Sequence, residues 1–331
     1  MEQSKLKFLK IIFSLTSLEK ILIPKGLKGN IFRGAFGLKF KELNCRSTPI
    51  CVERCVDPKC LYGQVFEPHY AEGTPSGMKD IPRPFVLTNV SDERTEIYPG
   101  ESFNIGFNLF GWACDYYAHF ITAVKAVGEE GIGPLRGKFT VRSVFSEDWL
   151  GNREVIYDKE NVLKEAKPFS IPESFQIESK VAKIELKTPT VIKYDSQIVN
   201  EPEFYQIFLR IRDRVSAIAY FHNGIELTED FKLLELEARE VKTLKSEWKK
   251  MEVKRRSSRT HILQDMSGIV GYALYDFQTA ERAELFAPWL KIAEIVNVGK
   301  NSVWGMGEIK TILNWKIKQI KMTEGRYVSR K

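Results

Sequence analysis

Near the C-terminus the chain reads VNVGKNSVWGMGEIKTI, residues 296–312, with Gly299, Gly305 and Gly307 spaced G-x5-G-x-G. That spacing fits neither the phosphate-binding loop of nucleotide hydrolases nor the dinucleotide fingerprint, which disfavours a mononucleotide site. Glycines lack Cβ and let backbone N–H groups come close to a phosphate, and Lys300 adds charge beside them. A helix C-cap followed by a tight turn is the other reading of the same residues.

A second group of chemistry-bearing residues lies in SEWKKMEVKRRSSRTHILQ, residues 246–264, with Lys249, Lys250, Lys254, Arg255, Arg256, Arg259 and His261 around Trp248. On a strand alternate residues share a face, so Lys254 and Arg256 line up, with Ser258 next in the series. Such a row suits the backbone of a nucleic acid, whereas a solvated charged hairpin is the usual reading of a charge run.

Four thiols crowd into CRSTPICVERCVDPKCLYG: Cys45, Cys51, Cys55 and Cys60, spaced C-x5-C-x3-C-x4-C. Four thiolates within sixteen residues suit a structural zinc or an iron–sulfur cluster, although the usual CxxC pairs are missing. Disulfide pairs are the alternative, and a redox enzyme built on these cysteines is a minor third reading. His119 follows Asp115 by four residues, one helical turn, while His69, His222 and His261 are scattered. With no HExxH and no nucleophile elbow, hydrolase and metalloprotease readings lose support.

The elements that must position these groups follow from length and periodicity. The 331 residues fit two domains, each large enough for its own core. The composition is that of an ordinary globular protein, 43% hydrophobic and 28% charged. A net charge of +7 favours a polyanionic partner. The N-terminal apolar run is broken by Lys7 and Lys10 and lacks a cleavage site, and no later stretch approaches a membrane span, so the expected location is cytoplasmic with no membrane partner.

Residues 5–16 read as a strand, and Phe32, Ala35, Phe36, Phe40 and Leu43 recur at helical intervals. Two strands follow, in PFVLTNV and ESFNIGFNLFG, then a helix with the stripe Tyr116, Phe120, Val124 and Val127, then the strand KFTVRSVF. The order is βαββαβ, the ferredoxin-like pattern. It recurs in VAKIELKTPTVIK, EPEFYQIFLRIRDRVSAIAYF, a basic hairpin near 251–277, ELFAPWLKIAEIV and EIKTILNWKI. The expected fold is therefore α+β, two tandem ferredoxin-like (RRM-like) domains with a cysteine-rich insertion in the first. The expected boundaries are 1–146 (insertion 45–62), a linker 147–178, and 179–331 with the glycine loop 299–307.

Several stretches, taken in order, carry a resemblance: GNIFRGAFGLKFKELNC, CLYGQVFEP, IPRPFVLTN, GFNLFGWACDYYAHFITAVKAVGEEGIG, RRSSR, GIVGY and WLKIAEIVNVGKNSVWGMGEI. Together they resemble the RAMP-superfamily endoribonucleases that process precursor CRISPR RNA, and the likeness spans nearly the whole chain. The resemblance implies tandem ferredoxin-like domains, a CRISPR repeat RNA as partner alongside other CRISPR effector subunits, and one cut per repeat. It implies attack by the ribose 2′-OH on the adjacent phosphate with no catalytic cofactor.

By the same likeness Gly299, Gly305 and Gly307 form the family's signature loop, and Lys300 is added on charge. Lys254, Arg255, Arg256 and Arg259 are nominated to hold the RNA stem by shape and backbone contacts. Many relatives use a histidine near the first helix, yet residues 16–60 contain none. Lys25, Lys28 and Arg33 stand in that neighbourhood as electrostatic candidates, and His119 and His261 are the remaining imidazoles that the fold could bring in. A non-catalytic protein that holds repeat RNA, or serves in an effector complex, is the competing reading.

Overall fold

The computed structural model describes residues 5–47, 50–51, 57–69, 81–92, 94–158, 160, 162–256, 263–313 and 315–317. In the first half, β1 (Phe8–Ser17), α1 (Lys28–Asn44), β2 (Phe85–Thr88), β3 (Ser102–Phe110), α2 (Tyr117–Glu130) and β4 (Phe139–Glu147) follow the expected βαββαβ order. They form an antiparallel sheet in the order β2-β3-β1-β4, to which β5 (Arg153–Tyr157) is added beside β4.

Alternation along β1 and β3 sends Leu9, Ile11, Phe13, Ile105, Phe107 and Leu109 to one face. The helical stripe Phe32, Phe36, Phe40 and Phe120 covers that face. Phe36 sits at the centre, 4.7 Å from the Phe107 ring and 5.3 Å from Phe120. Each such burial contributes about 2–3 kcal/mol.

The second half repeats the plan with β6 (Val181–Thr190), α3 (Phe204–Ile218), α4 (Phe231–Arg239), β7 (Lys242–Met251), β8 (Lys254–Arg256), β9 (Leu263–Asp265), β10 (Gly268–Asp276), α5 (Ala280–Val296) and β11 (Ile309–Ile312). Its sheet order is β7-β10-β6-β11, the same topology as the first. The fold is thus a tandem of ferredoxin-like domains. The core holds Phe204, Phe208, Tyr275, Phe277, Phe286 and Trp289. A reciprocal Glu203–Gln206 capping box starts α3, and the Asp230 carboxylate accepts from the N–H groups of Lys232 and Leu233 to start α4.

Two stretches differ from expectation. Residues 147–178, read as irregular, contain β5, and Phe175–Ile177 pairs with Trp315–Ile317. The basic hairpin begins at Lys242 rather than near 251, because β7 is exposed along most of its length and lacks an apolar alternation.

The halves are joined tightly. Leu6, Phe8, Val86 and Phe110 enter the second core. The buried Asn108 side chain donates to the Ile295 carbonyl at 2.7 Å. Trp112 Nε1 donates to His222 Nδ1 at 3.3 Å, which leaves Nε2–H to donate to the Pro82 carbonyl at 2.7 Å. Burial of this ring pushes its pKa down to about 4.

Candidate nucleic-acid interface and catalytic cluster

The first two turns of α1, strand β8 of the basic hairpin and the glycine loop meet at one indole. Trp304 lies in the short helical turn Ser302–Trp304 of the loop. The Arg33 guanidinium stacks on its ring at 4.1 Å, and the Arg255 guanidinium at 3.9 Å. Arg255 also donates to Asn30 Oδ1 at 3.2 Å, tying the hairpin to α1. Beneath them Val253, Met266 and Met306 are buried together, with Leu27, Met251 and Trp304 packed alongside.

Glycine makes this approach possible. A Cβ on Gly29 would lie 2.0 Å from the Trp304 carbonyl oxygen. Gly305, at φ +79, rests on Val90, where a Cβ would meet a methyl carbon at 2.4 Å. The N–H of Gly305 donates to Ser302 and that of Gly307 to Pro189, so these two amides are engaged within the protein. The glycines shape the loop, and the charge presented there comes from Lys300 and the stacked arginines.

Beyond Val90 lies a polar pocket of about 340 Å³ lined by Lys28, Asn89, Ser91, Asp92, Arg94, Ser102, Phe103 and Asn104. Lys28 is only 3% exposed, and its Nζ lies 3.4 Å from Asp92 Oδ2. Desolvation lowers its pKa, with Asp92 acting in the opposite sense. Asp92 is held well below the carboxylate range, chiefly by hydrogen bonds from Arg94, which reaches Oδ2 at 2.7 Å. Glu308, at the foot of the glycine loop, has its pKa raised by burial against the opposing field of Lys187, Lys10 and Lys28.

On the other side of the loop, Lys300 shares a cleft of about 620 Å³ with Arg83, Lys193, Arg210, Asp213 and Arg214. Arg214 is half-buried; desolvation lowers its pKa to about 10, and its Nε donates to the Val296 carbonyl at 2.6 Å. The loop therefore separates two polar pockets that differ in charge: one centred on a buried lysine, the other on arginines.

Of the residues nominated from sequence, Lys28, Arg33, Arg255 and the loop glycines come together. Lys25 is exposed in the turn before α1. Lys254 is exposed on β8, next to Arg255, and Arg256 belongs to the same strand. Arg259, His261 and Cys55 lie outside the described residues.

His119 and the thiols gather at the opposite end of α1, sixteen residues or about 24 Å along the helix from Lys28. His119 Nδ1 is 2.6 Å from Asn44 Oδ1, and the Cys60 thiol donates to the Asn44 carbonyl at 3.8 Å. The Cys45 and Cys51 sulfurs are 3.5 Å apart. A hydrogen bond from the Cys51 backbone leads the causes that lower the Cys45 thiol to about 7. Among the described residues no group of three or more His, Cys, Asp and Glu side chains is placed to hold a metal ion.

Sequence reasoning missed Asp92, Arg94, Asn30, Glu308 and the arginines of the larger cleft. The available signal was Trp304, a tryptophan inside the glycine loop.

Residues 184–309, from β6 to β11, match the family model described as CRISPR-associated endoribonuclease Cas6. The matched stretch lies in the second half of the chain. Residues 6–168 match a separate family model described as an N-terminal domain. An uncharacterized protein of Archaeoglobus fulgidus is 26% identical over 292 residues, covering 84% of this chain and 89% of that one.

A solved Cas6 product complex shares the fold with a TM-score of 0.57 at 13% identity, over 92% of this chain and 99% of that one. A partial Cas6-RT-Cas1–Cas2 complex reaches 0.54 at 7% identity, over 93% of this chain and 46% of that one. The resemblance read from the sequence to CRISPR-associated endoribonucleases is therefore borne out, and Cas6 structures have this tandem fold. No helix among the described residues is long and apolar enough to cross a membrane.

Proposed function

We propose that the chain cuts precursor CRISPR RNA within its repeats, by attack of a ribose 2′-OH on the adjacent phosphate. The carrying observation is the convergence on Trp304 of α1, the basic hairpin and the glycine loop, next to a pocket floored by the buried Lys28. The reaction breaks the P–O5′ bond and leaves a 2′,3′-cyclic phosphate and a 5′-OH. It requires in-line orientation, a proton removed from the 2′-OH, a proton delivered to the 5′-oxygen, and charge stabilisation on the phosphorane.

Lys28 suits the last two tasks. A desolvated ammonium with a lowered pKa is both a stronger acid and a stronger electrostatic partner than a solvated one. Asp92, fixed by Arg94, positions it. Arg33 and Arg255 lie on the approach and suit the flanking phosphates.

The competing reading, a repeat-holding protein that does not cut, is favoured by where His119 and His222 stand. His119 is at the far end of α1, and His222 is buried between the domains. One experiment separates the two: purified protein with its cognate repeat RNA in EDTA, beside a repeat carrying a 2′-deoxy sugar at the cut site, with product ends mapped. A single cut abolished by the deoxy sugar supports the nuclease. Tight binding with no cut makes the protein a holding module.

A further inference from the structure

The two sheets do not present their outer faces alike. In the C-terminal sheet, Ala182, Ile184, Leu186, Ala273 and Tyr275 are buried in the core shared with α3 and α5. Strand alternation sends the intervening residues to the opposite face. Strand pairing there sets Lys245, Leu274, Lys183 and Ile312 in one row, and Glu247, Tyr272, Glu185 and Lys310 in the next. Lys249 and Lys187 continue the same face along β7 and β6. All of these residues are half-buried or exposed. Five lysines thus stand against two glutamates on a surface about 14 Å wide across its four strands.

The single aromatic ring in the middle of this face is held ready. The Tyr272 hydroxyl donates to Glu247 Oε1 at 2.7 Å, and the same carboxylate pairs with Lys245 at 2.7 Å. Lys183 Nζ stands 4.4 Å from the ring centroid. A nucleobase stacking on Tyr272 would displace this ammonium from the ring. Base stacking on an aromatic, with lysines tracking the backbone, is how open sheets and clefts bind unpaired nucleic acid. A duplex hides its base faces and could not use the ring.

We propose that this outer face is a binding site for a single-stranded RNA segment, with Tyr272 as the stacking platform and Lys183, Lys245 and Lys310 as phosphate contacts. The ligand class rests on the repeat-RNA reading above, because the segment would be the unpaired part of the same transcript. The site lies on strands β6, β7, β10 and β11, and none of its proposed contact residues lines the Lys28 pocket.

The test uses the full chain and fluorescent decauridylate, with a blunt repeat hairpin as the second probe. Lys183→Ala/Lys245→Ala/Lys310→Ala should bind decauridylate at least tenfold more weakly. The slope of log affinity against log salt should become shallower by about 2. Tyr272→Leu should lose about tenfold, and both variants should bind the hairpin as the parent does. The triple variant changes only surface lysines, so it decides the matter if Tyr272→Leu melts early. Unchanged decauridylate affinity in the triple variant overturns the proposal, as does an equal loss on the hairpin. Because binding to decauridylate is read without cleavage, the face can fail while the nuclease reading stands, and the reverse.

Discussion

The same βαββαβ unit occurs twice, and its two copies treat the outer face of the sheet in opposite ways. In the first domain that face is occupied: Asn108 is buried against the end of α5, and Phe8 and Phe110 enter the other domain's core. In the second it is open and lysine-rich. One copy has become the wall on which the glycine loop rests, through Leu87 and Val90, and the other keeps a surface free. The Trp304 cluster exists only because the copies are docked, since neither contains it alone.

The docked junction carries the largest expected effect. Lys28→Ala should slow single-turnover cleavage of the repeat about 100- to 1000-fold, the usual loss when one transition-state donor is removed. Binding of the 2′-deoxy repeat should change far less. Since the Lys28 pKa is lowered, a role for its ammonium predicts that this contribution is lost as pH rises through a value below that of an ordinary lysine. A rate unaffected by the substitution would remove Lys28 from the chemistry.

Next in size is a pH effect on docking itself. The ring of His222 has a folded pKa of about 4 against an ordinary 6.5, so the unfolded chain binds the extra proton between those values. Its contribution is complete above pH 6.5 and is lost as pH falls toward 4, by up to roughly 3 kcal/mol. Thermal melts from pH 7.5 to 4.5 check this, and His222→Asn should flatten that part of the profile.

Gly29→Ala tests the contact between α1 and the loop. The added methyl meets a backbone carbonyl that cannot swing aside, so the expected loss is about 2 kcal/mol, read as a lower denaturation midpoint. Gly34→Ala, on the same helix with open space around it, should be neutral or slightly stabilising. The smallest effect is Arg255→Ala, with repeat affinity falling about tenfold and the salt slope becoming shallower by about 1. Unchanged affinity and slope would return the hairpin to a solvated charge run.

Much of the fold was legible because both copies alternate at period 2 in β1, β3 and β6 and at helical period in α1, α2 and α5. What escaped notice lies at the edges. Strand β7 is an exposed edge strand rich in lysine, and β5 begins with exposed Arg153 and Glu154, so neither shows a hydrophobic pattern. Lys28 and Arg33 could be nominated because they surround the start of the first helix. Asp92 and Arg94 could not, because a pair sixty residues away carries no local signal. Arg255 and Trp304 were visible as residue types, but their stacking depends on the packing of Val253, Met306 and Leu27, which only the docked domains create.

The most direct test of the account is a structure of the chain bound to a repeat RNA with a 2′-deoxy sugar at the cut site. The scissile phosphate is expected in the pocket of Lys28, Asp92 and Arg94, with the neighbouring backbone passing Arg33, Trp304 and Arg255. A scissile phosphate at the far end of α1, beside His119 and Cys45, would contradict it.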